Sequence, residues 1–485
     1  MKFTKLSIIL AFTSLSFTSC EKYLDVKPKT QIEIDVMFSN EEGFKDALHG
    51  VYTQLSSNNS YGLALTQTTI ERLISAWDFT AATTEAYLNN HNYTAEGSQN
   101  AFNSIFQQQY KTIASINALL SKIDENKDVF KNPDLYKMIK SEALALRAFI
   151  HLDLMRLWGP IPTNTIEGNQ LAYVTQFSTK INDRISYDKY KELLFKDISE
   201  AENLSKDVDP ILKYSLAQMR SPSNGIGYNP DDIIFAFRYL KMNYYAIKGL
   251  QARAHLWYGE KEQAYEAAKV VIDAKNVNGT NKYDLGSATD FAAKDFVLTK
   301  EHLFGIYDYQ MYDKYQKNYA NIALKKGTAE TTVKNTLYGN TGTDIREASL
   351  WHLLTMANGS KGNTLKKYMV DEPKTVTNAT DYKQIPLIRL SEMYLIASET
   401  APFAEGINYF KAFRTSRGIG ANIPATEANL KAEILKEYQK EFFGEGQGFY
   451  AHKRYNSIRT AIIFAATSVT VNYLLPLPTV ESVNQ

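Results

Sequence analysis

The residues with the clearest catalytic potential share one stretch of chain. Glu142, His151 and Asp153 lie within Glu142-Ala-Leu-Ala-Leu-Arg147-Ala-Phe-Ile-His151-Leu-Asp153, and an imidazole beside carboxylates can act as a general base or hold a metal. The same stretch carries two apolar stripes, one of Ala143, Leu146, Ile150, Leu154 and Leu157, the other of Leu144, Ala148, Leu152 and Met155. A helix apolar on two faces is buried between neighbours, so His151 reads as a structural histidine. No His-Glu-x-x-His pair or zinc-ligand spacing occurs. There is no Gly-x-Ser-x-Gly elbow, and Gly225-Ile-Gly227 lacks the strand and helix that flank a nucleotide loop. Carboxylates are numerous, so counting alone leaves a glycosidase pair open. The expectation is a chain without catalysis, cofactor or metal.

Binding chemistry is better represented. The chain holds 32 Tyr, 24 Phe and 4 Trp. Aromatic faces stack on the apolar C–H faces of sugar rings, while Asn, Asp, Gln and Arg satisfy hydroxyls. Two regions mix these types. One contains Arg72, Trp77, Asp78, Tyr87, Asn90 and Tyr93; the other contains Tyr307, Asp308, Tyr309, Gln310 and Tyr312, with Tyr338 and Asn340 further on. The expected ligand contacts are Arg72, Trp77, Asp78, Tyr87, Asn90, Tyr93, Tyr307, Tyr309 and Tyr312. Trp77 reads equally well as a stacking platform or a core residue. The helical spacing of Tyr312, Tyr315 and Tyr319 favours a packing stripe, and Tyr307 and Tyr309 alternate as in a strand.

The elements that must position these loops are helices. Phe44, Leu48, Val51 and Leu55 recur at helical spacing, as do Phe102, Ile105, Ile113, Ile116, Leu120 and Ile123. The double-striped helix runs to Trp158 and stops at Gly159-Pro160. Tyr187 to Ala201 gives another. Residues 241–258 and 264–271 form a hairpin about Gly259, in which Gly249, Ala252 and Ala264 are expected to let the two helices approach closely. A third pair begins at Leu387, Leu390, Tyr394 and Ala397 and returns through Ile407, Phe410 and Phe413; Leu435, Tyr438 and Phe442 mark a last helix. Paired helices of this kind resemble tetratricopeptide repeats. Between them lie long irregular segments, 58–100, 160–185, 205–232 and 276–385, and long connections of this sort commonly carry function. Charged residues on the helices, Glu142, Arg147, Arg156, Arg389, Glu392 and Glu399, are expected to be ion-paired, with Glu142–Arg147 and Arg389–Glu392 as candidate pairs.

Lys2 and Lys5 precede a short apolar run from Leu6 to Phe17, then small residues and the sole cysteine, Cys20. This is the layout of a secretory signal, too short for a permanent span of roughly 20 apolar residues, and it looks like a bacterial lipoprotein signal with Cys20 as the lipidated residue. The net charge is +1, and loss of Lys2 and Lys5 with residues 1–19 leaves −1. That balance does not suggest nucleic acid, which calls for a concentrated basic face.

Several separated segments resemble the SusD/RagB family of surface nutrient-binding lipoproteins of the Bacteroidetes. They are Cys20-Glu-Lys-Tyr-Leu-Asp-Val-Lys-Pro-Lys-Thr30; the helix Glu142 to Trp158 with its Gly159-Pro160-Ile-Pro162 exit; Asp344-Ile-Arg346; Pro386-Leu-Ile-Arg389-Leu-Ser-Glu392-Met-Tyr394; Arg414 to Gly418; and Leu475-Pro-Leu-Pro478 with Glu481 and Asn484. The resemblance implies a mainly α-helical body with four tetratricopeptide-like helix pairs as scaffold and long loop insertions as the binding face. It implies a lipid-anchored outer-membrane location facing the cell surface, an oligosaccharide ligand or, in the RagB branch, a peptide, and a SusC-like TonB-dependent transporter as partner. A tetratricopeptide-like adaptor for protein assembly is the alternative from another class. The expected organisation is a signal over 1–19 and one domain over 20–485. That domain divides into an extended tether (20–40), an N-terminal helical part (41–275), a loop-rich insertion (276–385) and a C-terminal helical part (386–485).

Overall fold

The apolar stripes become a row of helices in which each packs against the next. The computed structural model describes residues 29–220, 228–230, 232–371, 382–420 and 422–478. The signal over 1–19, Cys20, Gly225–Gly227, Glu481 and Asn484 lie outside the described residues. Helices α1 (Lys29–Met37), α2 (Glu41–Leu55), α3 (Glu96–Ile123), α4 (Pro133–Trp158), α5 (Tyr187–Ser205), α6 (Tyr244–Trp257) and α7 (Lys261–Ile272) build the N-terminal part. Helices α8 (Leu390–Thr400), α9 (Phe403–Ser416), α10 (Glu427–Glu441) and α11 (Gln447–Arg454) build the C-terminal part. The hairpins α3/α4, α6/α7 and α8/α9 are the paired units; α5 joins α4 to α6, and α7 packs on α8. The fold is mainly α.

Three two-stranded antiparallel ribbons complete it. They are β1 (Asn169–Leu171) with β2 (Ile185–Ser186), β3 (His302–Tyr307) with β6 (Gln384–Arg389), and β4 (Trp351–Thr355) with β5 (Lys361–Leu365). One large hydrophobic core runs through the molecule, and a smaller one around Phe410, Phe413 and Ile434 sits between α8, α9 and α10.

Local signals explain most boundaries. The Asn40 side chain caps α2 by accepting from Gly43 N at 3.1 Å, and Asn132 caps α4 ahead of Pro133, where proline is tolerated. Gly259, at φ +76°, makes the α6/α7 turn.

Three expectations are corrected. Residues 29–37 are helical rather than extended, and Phe38 behind them is buried against Phe44 at 4.7 Å; apolar anchoring of the connection outweighs its polar composition. Leu387 and Ile388 belong to strand β6, and the helix starts only at Leu390. Gly249 makes room not for α7 but for the ribbon, since a Cβ there would stand 2.8 Å from Ile388 and 3.1 Å from Leu303.

Candidate functional site

The two aromatic-rich loops are far apart in sequence and meet in space. Asp78 N donates to Lys325 O at 2.9 Å, and Asp78 Oδ2 accepts from Gly327 N at 2.7 Å. Lys326 Nζ donates to Ser75 O at 3.0 Å and lies 3.4 Å from Asp78 Oδ1. Tyr319 OH donates to Gln67 Oε1 at 3.0 Å. Beneath this seam, Trp77 packs on Tyr319, Trp351 and Phe443 at 5.9, 6.2 and 4.9 Å and donates its indole N–H to Gln67 O at 2.8 Å.

That packing decides several candidates. Trp77 is fully buried and offers no face to a ligand, so its platform reading is corrected to core. Tyr93 is buried on Phe102 and donates its hydroxyl to Asn472 O at 2.7 Å; Arg72 is buried and donates to Asp78 O. Both are buried, and their polar groups satisfy backbone carbonyls, Arg72 that of its own loop and Tyr93 that of the C-terminal segment. Tyr315 and Tyr319 are buried and stacked at 5.5 Å, the expected packing stripe, with Tyr312 half-buried. Tyr309 is 72% exposed and Tyr307 47%, while Asn90 is exposed and Asp78 and Tyr87 are half-buried. Tyr307 ends β3 and Tyr309 follows in the turn before a short helix, Met311–Tyr315, so Tyr307, Tyr309 and Tyr312 sit within one turn of chain.

Two further residues adjoin these segments. Phe79 is 42% exposed beside Asp78. His352, half-buried on β4, lies 3.2 Å by Nε2 from the Tyr315 hydroxyl, and burial lowers its pKa. Periodicity gives His352 no distinguishing signal, whereas Phe79 could have been found as an aromatic in a polar loop.

Backbone strain gathers here too. Among the described residues, Ser75, Ala82, His91, Ile322 and Asn340 are five of the nine non-glycine residues at positive φ. A single π-helical turn, Gln316–Ala320, lies in the second loop. Such features concentrate at ligand-holding segments.

The helix charges take a different part. Arg147 pairs with Asp197 at 2.7 Å, Arg253 with Glu392 at 2.6 Å and Arg454 with Glu399 at 2.6 Å; Arg156 pairs with Asp153, and Glu142 meets Arg238 and Tyr52. The pairs Glu142–Arg147 and Arg389–Glu392 do not form. Five residues along a helix turn through about 140°, which puts Glu142 and Arg147 on different faces, and Arg389 ends a strand rather than opening the helix. Arg389 instead reaches Glu301, Glu441 and Glu445 at 3.0, 2.8 and 2.9 Å. Arg417 joins Glu301 and Glu441 at 2.7 Å each, Arg346 joins Asp344, Glu437 and Glu441, and Lys367 joins Glu445 at 2.6 Å. Burial acts to raise the Glu441 carboxyl, but Arg417 and Arg389 hold it well below the usual range.

His151 is buried with Nδ1 3.0 Å from Tyr190 OH, and burial, aided by Arg147, pushes it down to about 3. It stays neutral and has no substrate access, so it is structural. Among the described residues no cluster of His, Cys, Asp and Glu is placed to hold a metal, and no described helix is long and apolar enough to cross a membrane.

Stacked helix pairs joined by a seam of hydrogen-bonded loops define a helical-repeat scaffold. The chain belongs to the SusD family: residues 232–474 match that family, and residues 22–214 match its SusD-like branch described as starch-binding and associating with the outer membrane. A SusD-like protein of Formosa agariphila is 28% identical over 204 residues, which span 41% of this chain and 38% of that protein's length. Among solved structures, a SusD homologue from Bacteroides thetaiotaomicron superposes with a TM-score of 0.67 at 16% identity, covering 94% of this chain and 97% of the other. A laminarin-binding SusD-like protein gives 0.63 at 15% identity, covering 91% and 97%.

Proposed function

We propose that this protein is a non-catalytic receptor, lipid-anchored through Cys20 at the outer-membrane surface, that captures an oligosaccharide and passes it to a SusC-like TonB-dependent transporter. One observation carries the reading. The loop through Asp78 is hydrogen-bonded to Lys325 and Gly327 of the loop that also carries Tyr309, and Tyr307, Tyr309, Phe79 and Asn90 on these two loops are open to solvent. Rings beside amides and carboxylates suit pyranoses, and a preformed seam limits the ordering cost of binding. The laminarin-binding relative supports a glycan, and the family's outer-membrane association supports the location.

The test is a binding screen of the purified protein against glycans and peptides by calorimetry, with the bound material recovered and analysed. Saturable binding of a glycan returned intact is the expected result. A cleaved glycan would make the protein a hydrolase, and binding of peptides alone would place it with the RagB branch.

A further inference from the structure

A second cleft lies outside the Asp78–Tyr309 face. It has a volume of about 810 Å³ and is enclosed by one side of α3, the β1/β2 ribbon and the segment through residues 174–184. That volume falls within the roughly 300–1,000 Å³ of small-ligand sites. We infer that this cleft is a second oligosaccharide-binding site, with Tyr110 as the stacking ring and Gln107, Asn169, Asn182, Asp183 and Arg184 as the hydroxyl-binding rim.

Tyr110 is a prepared platform. Its hydroxyl donates to Ala172 O at 3.0 Å, which pins the ring from the far end. Phe106 lies 4.7 Å to one side, itself set edge-on against Trp158 at 5.1 Å, and His151 stands 6.1 Å away at 78°. The ring is therefore held before a ligand arrives, so little side-chain entropy is lost on stacking.

The rim supplies what sugar hydroxyls need. Amides donate and accept, a carboxylate only accepts, and a guanidinium only donates. Asp183 and Arg184 make no ion pair with any described residue, whereas Arg147, Arg238, Arg253 and the charges around Arg389 are all matched. Charges left unmatched at the mouth of a ring-lined cleft are available to a polar ligand. An extended peptide would need a strand edge to satisfy its backbone, and β1 offers only three residues. The mixture favours a short oligosaccharide.

The inference rests on the glycan-binding reading but not on where that reading puts its ligand. Two sites on one chain would let a long polysaccharide engage both, raising avidity without a new contact.

The purified protein is titrated calorimetrically with laminari-, malto-, xylo-, manno- and galacturono-oligosaccharides, alongside N182A/R184A, Q107A and Y309A. Asn182 and Gln107 are exposed and Arg184 is half-buried without an ion pair to a described residue, so the first two variants should fold normally; a Y110F variant keeps the ring if larger changes destabilise the helix. Expected is two-site binding of one series, with one site weakened at least tenfold by N182A/R184A and retained in Y309A. Loss of all binding in N182A/R184A with none lost in Y309A would uphold the cleft and remove the Tyr309 face. A single site indifferent to N182A/R184A, or no binding in any series, would overturn the inference.

Discussion

The β3/β6 ribbon carries two contrasting regions at its ends. At one end His302 pairs with Arg389, which enters the buried network of Glu301, Glu441, Glu445 and Arg417; at the other, Tyr307 pairs with Gln384 and leads into Tyr309, the more exposed of the two tyrosines. Five residue steps of strand, about 17 Å, separate them. The first end is built from recognisable motif residues, Asp344-Ile-Arg346, Arg389-Leu-Ser391 and Arg417-Gly418, and every one of its charges is matched. The second has no motif. The contrast teaches that the motif residues of this sequence bolt the insertion to the helices through buried charge pairs, while the exposed tyrosines at the other end are free of that structural duty.

The largest break in that contrast should come from Arg389→Met. It leaves Glu301, Glu441 and Glu445 buried with one fewer counter-charge, and removing one partner of a buried network costs about 3–5 kcal/mol. Chemical denaturation should show a fall of that order, with loss of soluble protein as its extreme. A midpoint near wild type would mean that the network does not hold the insertion in place.

Trp77→Ala should cost nearly as much, about 3–5 kcal/mol, because it opens a cavity between Tyr319, Trp351 and Phe443. Glycan affinity, measured well below the melting temperature, should change little. A variant of wild-type stability with lost affinity would return Trp77 to the binding face.

Glu71, buried near Lys367 and Glu445 of the network, gives a pH-dependent probe. Its Oε1 accepts from Gly446 N at 2.9 Å, and burial, opposed by the Gly446 and Gly444 amides, pushes its carboxyl from 4.5 up to about 8. Below pH 4.5 the group is protonated in folded and unfolded chains alike. From 4.5 to 8 the unfolded chain ionises first, so wild type loses stability as pH rises, by at most about 1.4 kcal/mol per unit. Glu71→Gln keeps an oxygen for Gly446 without the charge. Its stability advantage over wild type should be near zero at pH 4.5 and greatest at pH 8 and above; an advantage independent of pH would show that Glu71 is ionised throughout.

What the sequence made legible follows the same division. Helices α2, α3 and α4 were readable because their stripes are local and periodic, and the charged helix residues were readable as paired because buried charges require it. Their partners were not: Asp197 is 50 residues from Arg147, and Glu392 is 139 from Arg253, distances over which no periodicity speaks. Leu387 mimics a helix because it precedes Leu390 by three residues, but its strand is fixed by pairing with β3. Trp77 was ambiguous for the same reason, since Trp351 and Phe443 bury it from far along the chain. Tyr307 and Tyr309 are legible by type and alternation, and Phe79 by type alone, whereas His352 is distinguished only by its contact with Tyr315.

The smallest effect sharpens the comparison most. Tyr309 is largely exposed and ends no buried network, so Tyr309→Ala should leave stability within about 0.5 kcal/mol of wild type. If its ring is a platform, the loss of stacking should weaken glycan binding by about 1–1.5 kcal/mol, roughly tenfold in Kd. Tyr309→Phe separates the ring from its hydroxyl: retained affinity assigns the contact to the C–H face of a sugar, whereas equal loss in both variants assigns it to a hydrogen bond. Unchanged affinity in both, with Arg389→Met still unfolding, would leave the buried end of the ribbon as described and move the binding face away from Tyr309.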